Sequence, residues 1–309
     1  MNGYLGLDTS NYTTSVAVYS NSTVLQKKKL LPVKHGTVGL RQSDAVFLHT
    51  QQLSALIDEL FSVYTGDINA VGVSTRPRSI EGSYMPCFTV GSTNAHILAT
   101  VLGVPLYEFS HQQGHIVAAL YSAEKLELLS KTFLAFHVSG GTTEALIVKP
   151  DKNNIITATP VGVTLDLNAG QIVDRVGVML GLGFPCGTEL EKLALRYNEK
   201  LKVKSTLKGT NCCLSGVENK CEKIFNESNS PEKTAAYALA YIEQTLMDMY
   251  KRIIVEHGSM PVLFSGGVMS NSIIRNSFTE KLGAIFSQPE FSSDNAGGIS
   301  VLTAIKDGN

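Results

Sequence analysis

The chain has 309 residues, 43% hydrophobic and 17% charged, with a formal net charge of −1 at pH 7. That composition excludes a disordered chain and a globally basic nucleic-acid binder, so any RNA contact must come from a local patch or a partner protein. Cys87, Cys186, Cys212, Cys213 and Cys221 are too few and too irregular for a disulfide framework, and the apolar runs fall short of the ~20 residues that span a bilayer. No basic, apolar leader precedes Asp8, so a cytoplasmic protein without membrane association is expected.

Residues 4–7 form a short apolar strand ending in Asp8-Thr9-Ser10, and after a polar turn residues 15–19 alternate as a returning strand does. Residues 47–64 place Leu53, Leu56, Ile57, Leu60 and Phe61 at helical spacing, and residues 70–74 read as a short buried strand. A loop marked by Arg76-Pro77-Arg78 and Glu81-Gly82-Ser83 leads to a helix over 90–102, a strand over 104–107 and a helix over 111–120. The opening hairpin then recurs at 133–148, around Ser139-Gly140-Gly141-Thr142-Thr143. Two copies of one figure, each opening about half of the chain, point to an internal duplication. Residues 172–180 and 231–255 are helical, and 261–264 is a strand that Ser265-Gly266-Gly267 turns into a helix reaching about 282. Asp294 opens a last small-residue helix, while 151–154 and 226–230 read as surface loops. Strands alternating with helices give an α/β fold with mixed sheets flanked by helices.

Glycines in the turns at Ser139-Gly140-Gly141-Thr142 and Ser265-Gly266-Gly267 allow a ligand close to the backbone, and consecutive N–H groups there can cradle phosphate oxygens. Either alone is more often simply a turn; the two together, each after an apolar strand, favour a nucleotide. His111 and His115 stand at i and i+4, on one face of a helix and close enough to chelate one metal. Many pairs at this spacing bind nothing, and spacing supplies no third ligand. Asp294 is a distant candidate whose position is equally that of a helix N-cap. Asp174 is a carboxylate within an apolar stretch, readable as a salt-bridged surface residue or as a partner for ligand hydroxyls. The segment 181–187 reads as a glycine-punctuated loop suited to a flat ligand.

The order Gly6-Leu-Asp8-Thr-Ser, His111-x-x-Gly-His115, Val138-Ser-Gly-Gly-Thr142, Asp174 with Gly187, Leu214-Ser-Gly216, Gly266-Gly-Val-x-x-Asn271 and Asp294-Asn295 resembles the TsaD/Gcp family. These are the tRNA N6-adenosine threonylcarbamoyltransferases, once called glycoproteases. The resemblance covers nearly the whole chain and implies an actin/hexokinase-like (ASKHA) fold of two duplicated lobes with an interlobe cleft, residues 1–106 forming one lobe and 107–309 the other, with the metal and adenylate site. It implies transfer of threonylcarbamoyl from its adenylate to N6 of the adenosine beside the tRNA anticodon, releasing AMP. Carried over by position, His111, His115 and Asp294 would hold iron or zinc, and Asp8 and Ser10 become the catalytic candidates. Val138, Ser139, Gly140, Gly141 and Thr142 would contact the intermediate, Asp174 and Gly187 the ribose, and Asn271 the adenylate. Other proteins of the same pathway are the expected partners.

Departures from the family pattern are expected to bear on the acceptor. Gln113 stands where members carry Glu, Thr142 where they carry His, Gln171 where they carry Glu and Arg175 where they carry Lys, and Asn11-Tyr12-Thr13-Thr14 replaces an acidic cluster. They suggest a divergent paralogue, with two alternatives to the tRNA reaction: another acceptor, or a non-catalytic adenylate-binding scaffold. A metalloprotease is disfavoured, since no Glu follows the first histidine as in His-Glu-x-x-His.

Overall fold

The computed structural model describes residues 2–10, 12–32, 40–292 and 296–308. It divides the chain into two compact units. One comprises Met1–Lys131, Lys149–Ala158 and Glu290–Asn309, the other Thr132–Val148 and Thr159–Pro289. The expected division at 106/107 is therefore displaced, and the helix carrying His111 and His115 belongs to the first unit, not the second.

The first unit is a sheet between two helical layers. Its strands are β1 (Asn2–Asp8), β2 (Thr13–Ser20), β3 (Thr23–Leu30), β4 (Asp67–Arg76) and β5 (Leu106–Ser110), in the order β3-β2-β1-β4-β5. β1 to β3 are antiparallel neighbours, whereas β4 and β5 run parallel to β1 and to each other. Leu5, Leu7, Val16, Val18, Val71 and Val73 pack on Leu53, Leu56 and Leu60 of α1 (Gln42–Phe61) and on Val90, Ala95 and Ala99 of α2 (Phe88–Leu102). Each fully buried Leu or Val among them contributes roughly 1.5–3 kcal/mol. The other helical layer is α3 (His111–Ser122) with the last helix of the chain, residues 297–307.

The second unit repeats this plan. Its strands β6 (Phe133–Val138), β7 (Thr143–Asp151), β8 (Ile155–Val163), β11 (Val262–Ser265) and β12 (Ile285–Phe286) lie in the order β12-β11-β6-β7-β8. An antiparallel hairpin again carries parallel strands on the side of its first member. The duplication read from two hairpins thus extends to both five-stranded sheets. Leu134, Phe136, Val138, Ala145, Ile147 and Phe264 face helices α4 (Ala169–Met179), α7 (Pro231–His257) and α8 (Ser272–Leu282), and Phe264 stacks on Phe136 at 4.8 Å. Between them lie α5 (Gly187–Ala194), the short pair β9 (Leu207–Lys208) and β10 (Asn211–Cys212), and α6 (Gly216–Ser228).

Several boundaries differ from the sequence reading. Residues 152–154 form the exposed turn expected there, while β7 runs through Asp151, whose carboxylate accepts from the N–H groups of Asn153 and Asn154 before β8 begins. Gly187 opens a helix where a loop is expected. Ser265-Gly266-Gly267 leads first into a 3-10 turn over Gly267–Ser270, and only Asn271 caps an α-helix. The last helix, α9 (Gly297–Asp307), starts after Asp294, which lies outside the described residues. Among the described residues no helix is long and apolar enough to cross a membrane.

Candidate functional site

In the first unit, β1 delivers Asp8 at its end and α3 begins with His111, beneath Ser110. Ser110 and Gln113 form a reciprocal cap: the Ser110 hydroxyl accepts from Gln113 N, and Gln113 Oε1 accepts from Ser110 N at 2.8 Å. Gln113 Nε2 donates to the carbonyls of Asn154 and Ile156 at 2.8 and 3.2 Å. A glutamate at 113 could accept as Gln113 does but, ionised, could not donate to these two carbonyls.

His111 is buried, and its Nδ1 lies 2.7 Å from Asp8 Oδ2 and 2.9 Å from Ser10 Oγ. The other Asp8 oxygen accepts from Ser10 N at 2.8 Å. A carboxylate facing Nδ1 holds the proton there and puts the imidazole lone pair on Nε2, the arrangement that prepares a histidine to ligate a metal. The half-buried His115 ring is centred 4.2 Å from that of His111. Asp8 and Ser10, the catalytic candidates of the sequence, both lie against His111. Thr9, which sequence reasoning passed over, fixes the same corner, since its hydroxyl donates to Cys87 O at 2.9 Å and accepts from Gly91 N at 3.0 Å.

Two imidazoles backed by a carboxylate are a donor set suited to iron or zinc. Among the described residues no group of three His, Cys, Asp or Glu is placed to hold a metal, and the expected third ligand, Asp294, lies outside them. Its described neighbours are closely held. A Cβ on Gly6 would stand 2.8 Å from the Ala296 carbonyl oxygen, and one on Gly298 would stand 1.9 Å from that of Gly114, one residue before His115.

In the second unit the remaining motifs join in a closed circuit. Gly266 has φ +98°, and a Cβ there would stand 2.3 Å from the Val138 carbonyl oxygen. After Val138, the turn at Ser139 to Thr142 lies on the start of α4, where a Cβ on Gly170 would meet Gly140 N at 2.6 Å. From α4, Asp174 Oδ1 accepts from Cys186 N at 2.9 Å, which brings Asp174 beside Gly187. From α5, Glu191 Oε1 accepts from Ser272 N at 2.8 Å, next to Asn271, and the 3-10 turn leads back to Gly266. Glu191 and Gly170 were missed because neither stands in a recognisable spacing.

The circuit also limits what each part can bind. Ser139 Oγ accepts from the N–H groups of Gly141 and Thr142 at 3.3 and 3.1 Å. Those two donors are engaged inside the turn. Asn271 is buried, and its Oδ1 accepts from Ile274 N at 3.2 Å, which caps α8.

Asp166 ties the Leu214-Ser215-Gly216 motif to this region. Burial pushes its carboxyl up, but hydrogen bonds from the Ser215 hydroxyl and from the N–H groups of Leu214 and Leu167 outweigh this and hold it below the ordinary value of 3.8. A depressed carboxyl stabilises the fold above its unfolded value and loses that contribution as pH falls through its folded value. Thermal melts from about pH 6 to about pH 3 should therefore show a steeper acid-side loss for the native chain than for Asp166→Asn. Parallel slopes would refute this role.

A family model described as TsaD, tRNA N6-adenosine threonylcarbamoyltransferase, matches residues 23–301. The chain is 28% identical over 293 residues to a protein of that name from Sulfurihydrogenibium sp. (strain YO3AOP1), covering 89% of this chain and 81% of that protein. It is 29% identical over 318 residues to another from Thermosipho melanesiensis (strain DSM 12029 / CIP 104789 / BI429), covering 96% and 92%. Among solved structures it is similar to the activator of the 2-hydroxyisocaproyl-CoA dehydratase from Clostridium difficile with bound ADPNP, at TM-score 0.54 and 15% identity, covering 99% of this chain and 95% of that one. The fold is of the actin/hexokinase type, as the motif order led one to expect.

Proposed function

This chain belongs to the TsaD family of tRNA N6-adenosine threonylcarbamoyltransferases, and from that premise we propose that it moves a threonylcarbamoyl group from its adenylate to N6 of the tRNA adenosine beside the anticodon. The observation that carries the reading is the imidazole of His111 held by Asp8 and Ser10, with His115 one helical turn away. Nothing in a purely scaffolding lobe calls for a buried carboxylate that fixes a histidine tautomer.

His111, His115 and Asp294 would hold iron or zinc, which when bound supplies Lewis acidity toward the carbamoyl and carboxylate oxygens of the donor. Asp8 and Ser10 keep the His111 proton on Nδ1. Asp174 and Gly187 take the ribose of the adenylate, and Asn271 Nδ2 with the Val138 to Thr142 turn takes the rest of the donor. The adenylate is already activated, so these residues act by orienting it and by excluding water. Partner proteins from the same modification pathway fit this role, and a cytoplasmic location follows from a tRNA acceptor.

The test is incubation with threonylcarbamoyl-adenylate and unmodified tRNA, followed by mass spectrometry of the nucleosides. Threonylcarbamoyladenosine is the expected product. Donor that stays bound without transfer would overturn the reaction and leave an adenylate-binding scaffold.

A further inference from the structure

A near-neutral chain still has to meet a polyanion if its acceptor is tRNA, and one stretch of the second unit is built for that. In residues 200–208, Lys200, Lys202, Lys204 and Lys208 are exposed, while Leu201, Val203, Ser205 and Leu207 between them are partly buried. Val203 and Leu207 pack on the hydrophobic core. The alternation of exposure turns the four lysines to solvent while their neighbours face inward, so that several cations are presented together.

The row is anchored at its Lys208 end. Thr206 O accepts from Cys213 N at 3.0 Å, Leu207 and Lys208 pair with Cys212 and Asn211, and Arg252 donates to Gly209 O at 2.7 Å. The place of a lysine at 206 is taken by Thr206, whose hydroxyl meets Tyr241 OH at 3.1 Å, and Lys220 Nζ lies 4.7 Å from the centre of that ring. Arg252 thus reaches the Lys208 end of the row, and Lys220 lies on the ring that Thr206 meets. Among the described residues none of the four lysines is paired with a carboxylate. Of the nearby acids, Asp248 is engaged by Ser205 and Gln244, and Glu199, beside Lys200, by the Tyr197 hydroxyl. Solvated lysines scattered for solubility would show neither the alternation nor the anchoring.

We propose that Lys200, Lys202, Lys204 and Lys208, together with Lys220 and Arg252, form a phosphate-backbone docking surface for RNA. The choice of tRNA as its occupant rests on the reaction proposed above. Phosphate contacts of this kind position the substrate without reading its sequence, and each neutralised phosphate steepens the salt dependence of binding.

The test compares the full chain with the triple variant Lys202→Gln, Lys204→Gln, Lys208→Gln and with the corresponding triple Arg variant, using an unmodified tRNA transcript and fluorescence anisotropy across a salt series. The Gln variant should bind about tenfold or more weakly near 0.1 M salt, with its log K against log salt slope reduced by about 2–3, while the Arg variant keeps both. Unchanged affinity and slope in the Gln variant would overturn the surface. So would displacement of tRNA by polyglutamate at equal charge concentration, which would indicate an acidic protein partner. Nucleoside analysis separates the two proposals. Charge-dependent tRNA binding without product leaves the surface standing and removes the reaction; product formed by the Gln variant with unchanged KM removes the surface alone.

Discussion

His111→Ala is expected to leave the purified protein without iron or zinc and to lower threonylcarbamoyl transfer by about 10³-fold, the equivalent of the several kcal/mol that a Lewis acid supplies. His111 is buried beside Asp8 and Ser10, so no other side chain can take its place without moving α3. Asp8→Asn separates ligation from positioning. Asparagine keeps the volume but no longer compels the Nδ1–H tautomer, and loss of such a partner costs 10–100-fold in metal affinity. Metal titration should show a weakened Kd with unchanged stoichiometry, and Asp8→Glu should restore part of the loss. Native metal content in His111→Ala would remove the metal from this site and the mechanism with it.

The second large effect concerns stability. Gly298→Ala places a Cβ 1.9 Å from Gly114 O and 2.7 Å from Ala118 N, and both are backbone atoms of α3 that cannot swing aside. The helices must separate, at the upper end of the roughly 1–3 kcal/mol that overpacking costs. Calorimetry should show the melting temperature lowered by roughly 6–12 °C, from 2–4 °C per kcal/mol in a domain of this size. Because α3 carries both histidines, metal content should fall alongside. A melting temperature within about 1 °C of the native value would mean that α9 packs elsewhere.

How much of this was legible depended on whether the signal was local. The hairpins announced themselves because each joins an apolar strand through a short polar turn to a returning strand, and from them the duplication followed. α7 was plain from a Pro at its start and long helical periodicity. β3 was not, since Thr23–Leu30 carries Lys27, Lys28 and Lys29 and lies at a sheet edge, where charge prevents unwanted pairing rather than marking a core. The boundary at 106/107 failed for a related reason. α3 belongs with β1 to β5 through the glycine contact with α9, and no spacing foretells a contact between residues 114 and 298. The role of Asp8 was half readable: its motif was visible, but only folding shows that the carboxylate meets His111.

α9 covers one face of a sheet whose strands β1 to β5 were all made before residue 111. A ribosome releasing this chain exposes that face through the synthesis of the entire second unit. The later-made half, contiguous apart from the hairpin tip at Lys149–Ala158, can close its core first, whereas the earlier half waits for its final helix. The contact of Gly298 with the helix that carries the histidine pair can therefore form only after the whole second unit has been synthesised.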